Sequence, residues 1–244
     1  MSGEYNNEFY DDLEGTQIPS ANVIVPLLYN ILKPSSVVDV GCGRGFWLKE
    51  FAKLGVQRVF GVDGPWVPQN KLAIPQENFK VCDLSKELNL PENFDLAINL
   101  EVAEHLPEER AVSFVRDICQ IAPAVFLGAA IPGQGGVNHY NEQWPAYWAK
   151  LFEDNGYTAF DIIRPKVWKN SDVTWWYKQN AVVYVKNTYL DKLEGLKNYT
   201  PVKSSDLADL IHPDLFRQKL KEARPGFGRW IRGGKKALCR SLTR

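Results

Sequence analysis

The segment Val37-Val38-Asp39-Val40-Gly41-Cys42-Gly43-Arg44-Gly45 constrains this chain more than any other. A β-branched run stops at a turn with glycine at every second position, and Phe46-Trp47-Leu48 then opens an apolar helical pattern. β-Branched residues favour strands, and glycine allows a tight turn and the close approach of a ligand where a Cβ would collide. The spacing D-x-G-x-G-x-G is not the dinucleotide fingerprint, whose last gap is two residues. Alone, such a turn is equally a plain strand-to-helix connection, so its neighbours decide.

Two later strands end in acids. Val59-Phe60-Gly61-Val62-Asp63 places a carboxylate 20 residues after Gly43, where an acid in doubly wound folds accepts hydrogen bonds from ribose hydroxyls. Val81-Cys82-Asp83-Leu84 supplies another, able to accept from the exocyclic amine of a purine. Three strand ends that deliver such groups to one edge of a sheet predict an adenosine-type cofactor.

The flanking pattern alternates strands and helices. It predicts a helix over 20–33 behind Ser20 as N-cap, a strand over 35–41 and a helix over 44–55 closed by Gly55. Strands follow over 58–64, 78–84 and 94–101, then a helix from Pro107 to 122 and a strand over 124–132. A helix over 142–157 and strands over 158–164 and 180–187 complete the series, the last two joined by a loop without an evident crossover helix. The fold class is therefore α/β: Rossmann-like and doubly wound, a mostly parallel seven-stranded sheet with one antiparallel edge strand. A hydrophobic fraction of 45% supplies its core.

The motifs together resemble class I S-adenosylmethionine-dependent methyltransferases. The resemblance rests on Val38–Gly45, on Gly61-Val62-Asp63-Gly64 and on Glu101-Val102-Ala103-Glu104-His105-Leu106, and it runs from about Ser20 to Val185. Ala130–Gly136 and Trp175–Asn180 are similar to bacterial members linked to surface glycans or natural products. The resemblance implies S-adenosyl-L-methionine as cofactor and S-adenosyl-L-homocysteine as product. It places Asp39, Gly41, Cys42, Gly43 and Gly45 around the amino-acid end, Asp63 with Gly64 at the ribose, Asp83 and Leu84 at the adenine, and Leu100 and Glu101 near the sulfonium. Arg44, where a small residue is common, is expected to point to solvent. The implied domains are a lid or cap over 1–19, the methyltransferase domain over 20–190, and an extension over 191–244.

For a hydroxyl acceptor, transfer needs in-line alignment, exclusion of water and removal of a proton. Histidine is the natural base near neutral pH, and this chain has three. His139 lies in the long polar loop 133–144 after the fifth strand and is the preferred proton acceptor. His105 follows the fourth strand and either serves the pocket or braces its loop. His212, in a turn outside the matched core, reads as surface or cap. Glu104 and Glu101 act as bases or hold a cationic acceptor, or one caps the following helix and the other orders the pocket. Tyr140, Asn141, Trp144, Trp176 and Tyr177 are candidate acceptor contacts, with the aromatic members excluding water. Tyr5, Phe9 and Tyr10 suit a lid. No cysteine or histidine spacing marks a metal site, so metal-independent chemistry is expected.

The acceptor is expected to be a small molecule or glycan, possible lipid linkage included, with a nucleic-acid methyltransferase or a non-catalytic binder as alternatives. The Asn-Pro-Pro-Tyr type motif of amino-group DNA enzymes is absent after the fourth strand, where Asn99-Leu100-Glu101-Val102 stands. Charge divides the chain. Its 29 basic and 29 acidic residues cancel, but residues 217–244 hold ten Lys/Arg against Glu222 alone, a charge of +9 that leaves −9 on the body. That excludes a wholly basic nucleic-acid binder. Phe227, Trp230, Ile231, Leu238 and Leu242 among those cations suit an interfacial membrane contact, a solvated tail or a nucleic-acid contact being the other readings. Four scattered cysteines and an acidic, polar start suggest a cytosolic protein that reaches the inner membrane face through this tail.

Overall fold

The computed structural model describes residues 7–90 and 92–223, with side chains from Asp11 onward except 12 and 13. Strand β1 (Ser36–Val40) lies at the centre, parallel to β2 (Arg58–Asp63) on one side and β4 (Leu96–Leu100) on the other. The sheet grows in parallel from β2 to β3 (Phe79–Val81) and from β4 to β5 (Ala124–Gly128). It is completed by β7 (Val182–Lys186), which runs antiparallel between β5 and β6 (Tyr157–Phe160). The order is β3-β2-β1-β4-β5-β7-β6. The expected antiparallel pairing of the last two strands is present, with the reversed β7 one place in from the edge and β6 outermost.

Successive side chains of a strand point to opposite faces, and here both faces are apolar. Val37, Ile98 and Phe126 join one core layer with α1 (Asn7–Leu32) and α2 (Phe46–Lys53). Val38, Ala97 and Val125 join the other with α3 (Ala111–Ile121) and α4 (Pro145–Asp154). A sheet covered on both faces explains why its strands read as continuous apolar runs.

Two expectations are corrected. Ser20 is not a helix N-cap: α1 begins at Asn7 and passes through the expected boundary at 19/20. The fully buried Ser20 hydroxyl donates to the Thr16 carbonyl at 2.7 Å and accepts the Thr174 amide at 3.0 Å. It thus ties α1 to the start of α6 rather than starting a helix. The stretch between the last two strands is not simply loop, since it contains α5 (Arg164–Val167) and α6 (Trp175–Asn180). Four and six residues are too short to display a helical period. Tertiary contacts hold them: Arg164 grips Asp161 with two hydrogen bonds of 2.8 Å and donates to the Gln179 carbonyl at 3.1 Å.

The chain forms one compact unit up to Leu210, which takes in residues beyond 190, and a second from Ile211 that contains α7 (Pro213–Ala223). His212 starts α7 as a cap, its Nδ1 accepting the Asp214 amide at 3.2 Å. The Phe9 and Tyr10 side chains, all of Tyr5, and the tail from residue 224 lie outside the described residues.

Phe126 is fully buried at the middle of β5. Phe126→Ala should lower the unfolding free energy by about 3–5 kcal/mol, read from urea denaturation. A loss below about 1 kcal/mol would contradict this packing.

Candidate functional site

From β1 the chain turns towards β2, and from β4 it turns towards β5, on the opposite side. The two connections diverge at the carboxyl ends of adjacent strands, where open α/β sheets bind their ligands. The turn after β1 is fixed by Gly41 and Cys42, whose amides donate to the Val62 carbonyl at 2.7 and 3.2 Å. Gly41 has φ 87°, and a Cβ there would fall 2.3 Å from a Val102 methyl in the loop after β4. Only glycine meets both demands, the left-handed backbone and the close approach. Gly45 closes the turn, its amide donating to the Cys42 carbonyl at 2.8 Å, and α2 starts at the next residue.

Asp63 ends β2 and holds this turn. Its Oδ2 accepts the Gly43 amide at 2.7 Å and its Oδ1 the Gly64 amide at 2.6 Å. Burial pushes its pKa up, and those two N–H groups with the Trp66 side chain offset part of the rise. Asp39 is 3% exposed, and burial followed by the charge of Asp63 pushes its carboxyl well above the usual range. Cys42 is also buried, and burial with the same two acids raises its thiol pKa far up, which makes it a packing residue rather than a nucleophile. Two buried acids beside a glycine turn suit a ligand that carries positive charge. Asp83 is at the expected strand end but exposed, and its bond from the Ser85 hydroxyl at 2.6 Å, then its pairing with Lys86, hold its pKa low. Leu84 beside it is buried, and its carbonyl accepts from the inward-facing Arg110 at 3.3 Å.

Arg44 does not point to solvent. It is 2% exposed and pairs with Asp11 at 2.6 Å and Glu14 at 3.5 Å, both on α1. The N-terminal helix is therefore clamped onto the glycine turn by charge. The guanidinium pulls the Asp11 carboxyl below its ordinary pKa.

Beyond half-buried Leu100, Glu101 adopts φ 56°, a rare conformation for a side chain with a Cβ. Its Oε1 accepts Asn180 at 2.8 Å and its Oε2 accepts Gln134 at 2.9 Å. Burial raises its pKa to about 7, with these amides opposing the rise. Tyr177 is buried near Asp39 and Glu101, its ring edge-on to Trp47 at 5.1 Å, and burial keeps its hydroxyl protonated.

The loop after β4 and the loop after β5 then meet. Glu104 is fully buried and its main-chain carbonyl accepts the amides of Tyr140 and Asn141 at 2.8 and 3.0 Å. Those two bonds bring His139 to His105, the rings edge to face at 4.8 Å. Ligating atoms of Glu104, His105 and His139 lie within 4.8 Å of one another. Burial, then the charge of Glu101, pushes the Glu104 pKa well up. Burial, then His139, pulls His105 down to about 4, so it is neutral near pH 7. His139 Nδ1 faces Glu142 at 2.9 Å, and Glu142 is itself held by the amides of Gly133 and Gly135 at 2.8 and 2.7 Å. Among the aromatic candidates Tyr140 is exposed, Trp144 and Trp176 are partly exposed, and Tyr177 is buried. Asn141 is buried and accepts from Gln143 at 2.9 Å.

Gln134, Asn180, Glu142 and the Arg44–Asp11 clamp were not picked out as functional in the sequence. Gln134 and Asn180 stand in stretches noted only for similarity, and Glu142 carries a signal in hindsight, three residues after His139. Residues 21–181 match the family of methyltransferase domains, and the chain belongs to that family. It is 29% identical over 128 residues to a ubiquinone biosynthesis O-methyltransferase of Bradyrhizobium sp. strain ORS 278, covering 48% of this chain and 45% of that one. A second relative with the same name, from Nitrobacter winogradskyi, is 30% identical over 84 residues, 32% of each chain. The match thus spans less than half of either curated relative. Among solved structures, a putative O-methyltransferase from Nostoc punctiforme aligns with TM-score 0.55 at 16% identity, over 73% of this chain and 59% of that one. Human N-acetylserotonin methyltransferase, solved with S-adenosylmethionine, aligns with TM-score 0.50 at 16% identity, over 69% and 52%. Both likenesses show the fold.

Glu101 gives a pH test. Its carboxyl ionises near 4.5 when unfolded and near 7 when folded. The folded state therefore binds more protons between those values, and this group's stabilisation, complete below 4.5, is lost as pH rises through 7. Relative to Glu101→Gln, the parent protein should lose melting temperature from pH 5 to pH 7.5. Parallel profiles for the two proteins would refute the assignment.

Proposed function

We propose that this protein transfers a methyl group from S-adenosylmethionine to a hydroxyl oxygen of a small molecule. The observation that carries the reading is the meeting of two features at one sheet edge. One is the acid-lined glycine turn after β1, and the other is the Glu104–His105–His139 cluster between the loops after β4 and β5.

The donor supplies an electrophilic methyl on a sulfonium. The chain's own residues fit its parts. Asp63 keeps acceptor capacity beyond its two backbone bonds and the Trp66 contact, enough to accept from a ribose hydroxyl. Asp39 lies where burial disfavours its charge, so a cationic group beside it restores the ionised form. Leu84 offers an apolar contact for the adenine, with Asp83 beside it at the rim. Glu101, held by Asn180 and Gln134, presents a fixed carboxyl at the end of β4. On the acceptor side, Tyr140, Trp144 and Trp176 screen the site from water. His139 takes the hydroxyl proton and Glu142 stabilises the resulting imidazolium, an acid–histidine arrangement suited to general base catalysis.

The names of the two curated relatives favour oxygen as the atom methylated. A glycan or a lipid-linked acceptor is the extension that the tail supports. Among the described residues no helix is long and apolar enough to cross a membrane. In α7, Phe216 and Leu220 are exposed one turn apart, with Arg217, Lys219 and Lys221 around them, and seven more basic residues follow to the end of the chain. Apolar and cationic groups of this kind dock at an anionic lipid surface.

Two measurements test these points. Asp63→Ala should weaken donor binding at least tenfold in calorimetry, through loss of the ribose acceptor and of the turn's anchor, and equal affinity would refute the assignment. The full chain should float with anionic vesicles while a chain lacking residues 217–244 stays behind. Equal flotation would sink the docking role.

A further inference from the structure

Glu104 presents a problem that the proton-transfer reading leaves unsolved. Its side chain is fully buried, neither carboxylate oxygen makes a well-formed hydrogen bond, and only the amides of Glu104 itself and Ala130 offset the burial. Buried carboxylates are normally paired, hydrogen-bonded or bound to a metal. The groups placed to complete Glu104 are two imidazoles, His105 and His139, with ligating atoms within 4.8 Å.

We propose that Glu104, His105 and His139 form a binding site for one borderline divalent cation, of the zinc, cobalt or manganese type, that receives the acceptor's oxygen. Three features of the surroundings carry this beyond a coincidence of residue types. The first is the poorly partnered, buried carboxylate itself. The second is an outer shell that orients both rings. His139 Nδ1 meets Glu142 at 2.9 Å, and that carboxylate is pinned by two backbone amides. His105 Nδ1 faces the Asn138 carbonyl at 3.2 Å. A carbonyl only accepts, so His105 Nδ1 carries the hydrogen where it meets Asn138, and the Glu142 carboxylate accepts in the same way from His139 Nδ1. Ligating histidines are held this way by a carboxylate or a carbonyl on the second nitrogen. The third is packing: a Cβ on residue 136 would fall 2.2 Å from His139 Nε2, so glycine there is what lets the ring seat against its own loop.

Two imidazoles and one carboxylate suit Zn2+ and similar ions rather than Mg2+ or Ca2+, which favour all-oxygen sets. Bond lengths of about 2.0–2.2 Å require the ligating atoms to close in from separations of up to 4.8 Å. Three protein ligands leave at least one position for a hydroxyl oxygen. Bound there, the hydroxyl gives up its proton to solvent at a lower pH and keeps the electron pair. That oxygen forms the new C–O bond as the donor's C–S bond breaks, and the sulfonium leaves as a neutral thioether. This role towards the acceptor rests on the methyl-transfer reading, whereas cation binding does not. It departs from the metal-independent chemistry expected from sequence, and it makes His139 a ligand instead of the base.

The test uses the full chain after dialysis against a chelator. Zn2+ should bind saturably in calorimetry at one equivalent, and Co2+ should develop the visible absorption of a low-coordinate, histidine-bound ion. Glu104→Gln should weaken Zn2+ binding at least about 100-fold, and Glu142→Gln, which leaves the ligands intact, about 10–100-fold. Absence of saturable binding and of colour in the parent overturns the site without needing any variant. So does a Glu104→Gln protein, folded by its melting curve, that binds Zn2+ as tightly as the parent. S-adenosylmethionine binding, measured in the chelated protein, separates the two claims. Donor binding without cation binding leaves the methyl-transfer reading standing and sinks this one. Cation binding without donor binding does the reverse.

Discussion

The functional edge depends on one close approach, that of the loop after β4 to the turn after β1. Val102 presses on Gly41 where no Cβ fits. The turn is held from behind by Val62 and Asp63 at the end of β2. Three consecutive strands of the sheet are thereby locked at their carboxyl ends, β2 through hydrogen bonds and β4 through packing. The glycines supply the permitted backbone, but the neighbouring strands fix its position. A cofactor cradle built this way is pre-organised before any ligand arrives, which lowers the ordering entropy that binding must overcome.

The second organising feature is the concentration of carboxyl groups at this edge. Asp39, Asp63, Glu101 and Glu104 lie there with reduced access to water, and burial raises the pKa of each. Among the described residues Arg44 is the nearby cation given to the turn, and it is committed to Asp11 and Glu14 on α1. The edge thus holds carboxyl groups that a positively charged visitor would return to the ionised form. The same clamp also explains why α1 continues over the sheet rather than ending near Ser20: its first half is held by ion pairs, its second by the core.

Most of the turn after β1 was legible because its signals are local. Strand, turn and helix follow one another within Val37–Leu48, and the acids at 39, 63 and 83 close strands that alternation marks clearly. What was not legible depends on contacts distant in sequence. Arg44 reads as a solvent-facing oddity until Asp11, 33 residues earlier, is brought over it. Helices α5 and α6 are too short for periodicity and exist through Arg164 and its partners. Glu101 meets Asn180 across 79 residues of sequence. Asp83 was legible as a strand-end acid, yet not as an exposed one, because the short β3 leaves its end uncovered.

Glu104 shows how stability and function are set against each other at this edge. A carboxyl group buried short of partners destabilises the fold, and a free side chain would relieve this by rotating out. Here the backbone holds the residue facing inward. The Glu104 carbonyl is engaged by two amides of the opposite loop, so the residue stays seated between β4 and β5. Those same two bonds place His139 beside His105, so the strain on Glu104 and the assembly of the cluster have one cause. Local rules of polar satisfaction are broken mainly where a site requires it. The violation at Glu104, in a loop otherwise well hydrogen-bonded, therefore sets it apart from the satisfied groups of this edge.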